Sequence, residues 1–322
     1  MSPSSKIGTI RAVCLSERKG EQKSPVDEAR LIAGFGFEGD AHAGDWHRQV
    51  SLLDLADIEI MRSKGAECAF GAFGENLVVE GLPLGEIGLG SVLRIGADAV
   101  LRISQIGKTC HTRCAIYYQI GDCIMPRNGL FARVEQGERV ATGDRAEIES
   151  LVPRSRVQAV VLTISDRGAR GETADTAGPA VADLLAERLG AHVYRLEILP
   201  DERAAIEDRL RHYCDGHSID LVLTVGGTGF SPRDVTPEAT RAVVERPTPG
   251  LDEAMRAASL ALTPRAMLSR AASGIRQTTL IVNLPGSKRA AVENLEAILP
   301  ALPHGIGKLR GSQADCGQPG RS

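Results

Sequence analysis

Residues 225–240, VGGTGFSPRDVTPEAT, carry most of the chemistry legible in this chain. Four apolar or small residues, 221–224, run into Gly226, Gly227, Thr228 and Gly229. That order reads as a strand entering a glycine turn. Glycine permits positive φ and close approach of a ligand to the backbone. Successive amides in such a turn form a nest for anionic oxygens. Thr236 before Pro237 reads as a helix N-cap and first helical residue, with the helix's positive end aimed at the same spot. Between nest and helix stand Arg233 and Asp234. An acid repels phosphate unless a cation bridges the two, and Mg²⁺ does so with a carboxylate plus phosphate oxygens. The stretch therefore predicts nucleotide phosphates held with a hard metal. The four loop residues taken alone suit a ligand-free turn equally well.

These residues need elements to hold them. From residue 157 the pattern alternates. Strands are expected at 157–165, 193–199, 221–224 and 278–284. Helices are expected at 179–189, 204–213, 237–245, about 251–262, and from 287 to 299. Such alternation calls for a doubly wound, mostly parallel α/β sheet, whose ligands sit at the carboxyl ends of the strands. The loops there carry Ser165, Asp166 and Arg167; Asp201; Gly226 to Asp234; and Pro285, Gly286 and Ser287. If they converge, Asp201 and Asp234 supply metal ligands, and Arg167 and Arg233 supply forks for phosphate. Two blander roles compete: Asp201 as the N-cap of the next helix, and Asp166 as a turn acid.

Residues 1–150 read differently, as many short strands with glycine turns and one helix at 54–64, which argues a mostly-β barrel. Residues 92–95 and 99–103 flank a Gly-Ala-Asp hairpin signal. The boundary is placed at 151–156, a Pro- and Arg-bearing linker; the α/β domain covers 157–310, and 311–322 is expected to be disordered. Three of the seven cysteines, Cys110, Cys114 and Cys123, fall within 110–134. They fit small core residues, a zinc site with His111, or a thiolate activated by Lys108 or Arg113. Asp40, His42, Asp45 and His47 cluster near Trp46, as a solvated loop or as a pocket lining in which Arg48 meets an anion.

A net charge of −3 leaves no footprint for nucleic acid. No apolar run nears the ~20 residues that span a bilayer, and no secretory signal is expected. Cysteine usage suits a reducing cytoplasm.

The second half resembles molybdopterin adenylyltransferases through TISDRG at 163–168, ILPDE at 198–202, the whole 225–240 stretch, and NLPGS at 283–287. The resemblance implies that ATP adenylates molybdopterin with release of pyrophosphate, using Mg²⁺. It places the family's two functional aspartates on Asp201 and Asp234, its glycine loop on Gly226–Gly229, and its Ser-Asp-Arg on Ser165, Asp166 and Arg167. It also implies a homotrimer. Where relatives often carry a lysine two residues after the last loop's serine, this chain has Lys288 then Arg289, so either one is a candidate for the phosphate contact. The first half resembles MOSC domains through FGFEGDAHAG at 35–44, RQVSLL at 48–53, FGENLVVEG at 73–81, LGSVLRIG at 89–96 and GKTC at 107–110. That implies molybdenum cofactor binding or sulfur handling, with Cys110 as the recurrent thiol. The expected whole is a two-domain protein of molybdenum cofactor biosynthesis acting on small molecules and serving molybdenum enzymes. The competing readings are a non-catalytic pterin carrier or scaffold, and a sulfur-transfer enzyme using Cys110 as a persulfide.

Overall fold

A computed structural model describes residues 6–108 and 115–313. The expected disordered tail lies outside the described residues from position 314 onward. The chain divides into two compact units, residues 1–155 and 156–322.

The first unit is built on β1 (Ile7–Leu15), β2 (Ser24–Val26), β3 (Glu28–Ile32), β4 (Gly36–Phe37), β5 (Val50–Asp54), β6 (Leu77–Glu80), β7 (Val92–Ile95), β8 (Ala99–Ile106), β9 (Leu130–Gln136), β10 (Arg139–Ala141) and β11 (Arg145–Ser150). Its main sheet runs β11-β7-β8-β9-β5-β6-β1, and β11 also pairs with β1, so seven strands close into a barrel. Closure removes the exposed edges of an open sheet. β1 achieves it by serving three neighbours in turn: β11 at Ile7–Thr9, β6 at Thr9–Val13, and β2 at Val13–Leu15. A register shift between Ile10 and Ala12 bends it from one partner toward the next. β3, β4 and β10 form a separate small sheet. β5 and β6 pair in parallel, which requires a crossover; helix α1 (Leu55–Ser63) provides it, capped by the Asp54 carboxylate on the Ala56 amide and burying Ile58 and Met61. Two short helices the sequence did not signal, α2 (Ala115–Ile120) and α3 (Met125–Asn128), precede β9.

The second unit holds a six-stranded sheet with its helices: β12 (Gln158–Ile164), α4 (Asp166–Ala169), α5 (Ala177–Leu189), β13 (His192–Leu199), α6 (Arg203–Gly216), β14 (Leu221–Val225), α7 (Thr236–Val243), β15 (Arg246–Pro247), α8 (Pro249–Leu260), β16 (Ser273–Arg276), β17 (Thr279–Leu284), α9 (Lys288–Ile298) and α10 (Leu302–Leu309). Strand order is β13-β12-β14-β17-β16-β15. The first four are parallel, and β16 and β15 add an antiparallel edge. Every residue of β12, β14 and β17 is buried, the mark of strands covered on both faces. The antiparallel edge escaped the sequence pattern because β15 and β16 are short and partly polar.

A buried amide locks the sheet to α7. Asn283 Nδ2 donates to Thr224 Oγ1 and Thr240 Oγ1, both at 2.8 Å, and its Oδ1 accepts from the Ala272 amide at 3.2 Å. Three elements and one loop thereby meet on one fully satisfied side chain, as buried polar groups require.

Candidate active site

β12 has β13 on one side and β14 on the other. The chain leaves β12 for β13, then crosses back to β14. That reversal opens a crevice at the carboxyl ends of β12 and β14, and the predicted loops flank it. Ser165 caps α4 by accepting from the Gly168 amide at 3.1 Å. Asp166 and Asp201 join the loops after β12 and β13 reciprocally: the Asp166 amide donates to Asp201 Oδ2 at 2.8 Å, and the Asp201 amide to Asp166 Oδ1 at 3.0 Å. Asp201 therefore does not cap α6; its N-cap is Glu202, with no side-chain bond. Nor is Asp166 an idle turn acid.

The glycine loop fits so closely that side chains are excluded. Gly226 and Gly227 take φ of 113° and 64°, which other residues rarely adopt. A Cβ on Gly226 would overlap the Ile164 carbonyl, and one on Gly227 would overlap Thr236 Oγ1 while standing 3.2 Å from Asp201 Oδ1. A Cβ on Gly286 would lie 3.3 Å from the Gly226 Cα, so the loop after β17 touches this one. The Gly226 amide is spent on the Leu284 carbonyl at 3.0 Å. Among the described residues no acceptor meets the next three amides, Gly227, Thr228 and Gly229, which leaves the nest available to an anion. Thr236 is the first residue of α7, not its cap; the N-cap is Val235. The Thr236 hydroxyl instead lies buried under Gly227, without a hydrogen-bond partner among the described residues.

Carboxylates crowd the crevice. Burial raises the pKa of Asp201; the Asp166 amide opposes this, and the charges of Asp166 and Asp234 raise it further. Asp234 Oδ2 accepts from the Ser231 amide at 2.9 Å and stands 2.9 Å from where a Cβ on Gly229 would be. Asp201 and Asp234 thus lie against successive turns of one loop. Among the described residues no three His, Cys, Asp or Glu side chains gather to hold a metal by themselves. Two oxygen donors beside open amides do fit a hard cation that takes its remaining ligands from phosphate and water.

The arginines depart from expectation. Arg233 turns its fork on the protein: Nε and Nη2 donate to Asp166 at 3.0 and 2.9 Å, and Nη2 also reaches Glu202 at 2.9 Å. This pairing holds the Asp166 carboxyl below its usual range. Arg167 is exposed beside the crevice. Ser287 caps α9 through the Ala290 amide at 3.3 Å. Arg289 Nε pairs with Glu293 at 2.7 Å, while Lys288 has no ion pair among the described residues. Sequence reading missed two supports. Asp175 accepts from Thr163 Oγ1 at 2.6 Å and from the Ala177 and Gly178 amides. Arg270 grips the glycine loop, its Nε donating to the Gly229 carbonyl at 2.7 Å. Both sit in segments with no periodic or glycine signal. Next to Thr228, Gly229 and Pro285 opens a largely apolar cavity of about 250 Å³ between α8 and α9, which Leu262, Leu268 and Asn294 help to line.

In the first unit the polar cluster divides. Asp40 is buried in an ion pair with Lys23 and also accepts from the His42 amide at 2.9 Å and Asn76 Nδ2 at 3.2 Å, so it is no solvated loop residue. Asp45 stays exposed, 3.6 Å from Arg133. The Arg48 guanidinium lies 4.7 Å from the Trp46 ring centroid and 5.8 Å from that of Phe131, with Lys108 Nζ 5.9 Å from Phe131. His47 Nε2 meets Gln105 Oε1 at 2.8 Å. Cys110, His111, Arg113 and Cys114 lie outside the described residues. Cys123 is buried in an apolar cluster with Ile116, Ile124 and Met125, where the small-core role accounts for it.

Comparison with known proteins separates the same two regions. A family model described as a probable molybdopterin binding domain matches residues 160–304, and the MOSC domain model matches residues 39–147. Over 153 residues the chain is 44% identical to a molybdopterin adenylyltransferase of Helicobacter pylori, covering 47% of this chain and 87% of that protein. Over 152 residues it is 43% identical to one from Escherichia coli, covering 45% of this chain and 77% of the other. A solved structure of the molybdopterin biosynthesis enzyme MoaB from Thermus thermophilus shares 47% identity over 48% of this chain and 98% of its own, with a TM-score of 0.46.

Proposed function

Since this chain belongs, through its second unit, to the molybdopterin adenylyltransferase family, we propose that it adenylates molybdopterin with ATP, at the crevice between β12 and β14. The observation that carries the proposal is the run of open amides at Gly227–Gly229 between the Asp201 and Asp234 carboxylates. A terminal phosphate oxygen of the pterin attacks the α-phosphorus of ATP, a new P–O bond forms, and the bond to pyrophosphate breaks. Two anions must be brought together, so catalysis rests on positioning and on positive potential. The nest amides and the start of α7 hold phosphate oxygens. Asp201 and Asp234 would hold Mg²⁺, which when bound neutralises charge on the triphosphate. Lys288, at the mouth of the last loop, is the better candidate of the two basic residues for a phosphate contact, because Arg289 is committed to Glu293. The apolar cavity beside Thr228 and Pro285 suits a flat ring system.

Arg233 reaches phosphate in this scheme only by leaving Asp166 and Glu202, so nucleotide binding exchanges one set of anionic partners for another. The first unit, we infer, binds the molybdenum cofactor: Arg48 over Trp46 and Phe131, with Lys108 nearby, offers cations on an aromatic floor. Pyrophosphate release from ATP, dependent on both molybdopterin and Mg²⁺, tests the first proposal. Its absence in Asp234→Ala with pterin binding retained is expected, and an unimpaired Asp234→Ala enzyme would reject it. A wild-type chain that binds pterin yet releases no pyrophosphate would favour the carrier reading.

A further inference from the structure

We propose that Arg270 is a positioning residue that sets the peptide planes of the glycine loop and the aim of the Asp234 carboxylate. The inference rests on the adenylyl-transfer reading and adds to it a residue that need not touch substrate. Arg270 Nε donates to the Gly229 carbonyl at 2.7 Å, and Nη2 to the Asp234 carbonyl at 2.6 Å. Nη1 donates to Glu238 Oε1 at 2.5 Å, and the Arg270 amide to the Thr228 carbonyl at 3.0 Å. One half-buried residue therefore ties down both ends of the 229–234 segment and the first turn of α7.

In a trans peptide the N–H of the next residue points away from the carbonyl. Drawing the Thr228, Gly229 and Asp234 carbonyls toward Arg270 turns the amides of Gly229, Phe230 and Val235 away from it. The Gly229 amide is one of those left without an acceptor among the described residues. The remaining ties are the local bonds among Ser231, Arg233 and Asp234 and the exposed Arg233 fork on Asp166 and Glu202. Three acceptors lying in different directions match a planar, five-donor fork and do not match an ammonium.

The test uses the full chain as wild type, Arg270→Lys and Arg270→Ala, measuring pyrophosphate release over a Mg²⁺ titration, the KM for molybdopterin, and thermal unfolding. For Arg270→Ala the expected result is a kcat lower by about 100-fold, the order set by an ångström of misplacement. The Mg²⁺ concentration for half-activity rises, the KM for molybdopterin is little changed, and millimolar guanidinium partly restores activity. Arg270→Lys recovers only a small part. A purely structural role would lower the melting temperature and leave the Mg²⁺ dependence of the folded fraction untouched. If Arg270→Ala does not fold at the assay temperature, Arg270→Lys decides. Wild-type kcat and Mg²⁺ dependence in the folded variants would overturn the role of Arg270 alone; an inactive wild type would overturn the adenylyl-transfer reading instead.

Discussion

Gly229→Ala separates the chemistry of the loop from its folding. Gly229 does not have a positive φ, so alanine can take its backbone without strain, and the stiffer unfolded chain favours the variant by about 0.4–1 kcal/mol. The added Cβ would stand 2.9 Å from Asp234 Oδ2, too close for either atom to stay. The carboxylate moves, because it ends a flexible side chain and its partner is the exposed Ser231 amide. Losing a charged hydrogen bond costs about 1.5 kcal/mol, at the low end of its range for an exposed pair. The difference is a net loss of about 0.5–1 kcal/mol. For a unit of this size a net change under ~1 kcal/mol moves the melting temperature by no more than about 2–4 °C. Activity behaves otherwise. On the mechanism proposed above, displacing the Asp234 carboxylate by about 1 Å lowers kcat by ~10²-fold, or ~2.7 kcal/mol on the barrier. The assay is Mg²⁺-dependent pyrophosphate release alongside a melting curve. Gly227→Ala is the contrast: its φ of 64° and its overlap with Thr236 harm stability and activity together. A Gly229→Ala enzyme with wild-type kcat would remove Asp234 from the mechanism proposed above.

Further outcomes follow from the same geometry. Lys288→Ala is expected to raise the KM for ATP, while Arg289→Ala, which loses only an exposed pair with Glu293, leaves steady-state kinetics nearly unchanged. Asn283→Ala leaves Thr224, Thr240 and the Ala272 amide without their partner; a loss of about 3 kcal/mol is expected from orphaned buried groups, read as a lower denaturation midpoint for the second unit. In the first unit, burial pushes the Glu75 carboxyl from 4.5 up to about 7, against the opposing amides of Gly71 and Phe73. The folded unit therefore holds one more proton than the unfolded chain between those values. Its stability is fully present below pH 4.5 and declines as pH rises through 7, by ~3 kcal/mol in all, since each pH unit is worth about 1.4 kcal/mol. Denaturation midpoints at pH 5 and pH 7.5 check this, and Glu75→Gln is expected to abolish most of the difference.

The chain's own order of residues determined its division of labour. Largely apolar runs at 157–165, 221–224 and 278–284 point to buried parallel strands, because a strand covered on both faces needs no polar side. The glycines at 226 and 227 dictate a turn, because only glycine tolerates their φ. Pairing was decided in three dimensions. Nothing local says that Asp166 and Asp201, 35 positions apart, exchange amide hydrogen bonds, that Arg233 faces Asp166 instead of open solvent, or that Arg270 reaches back across 41 residues to Gly229. The same holds for the barrel, whose strands are readable one by one while its closure depends on β1 meeting β11 at the opposite end of the unit. Short-range pattern records what each residue prefers. The crossing of the chain at the switch point decides which of those preferences meet, and with what charge between them.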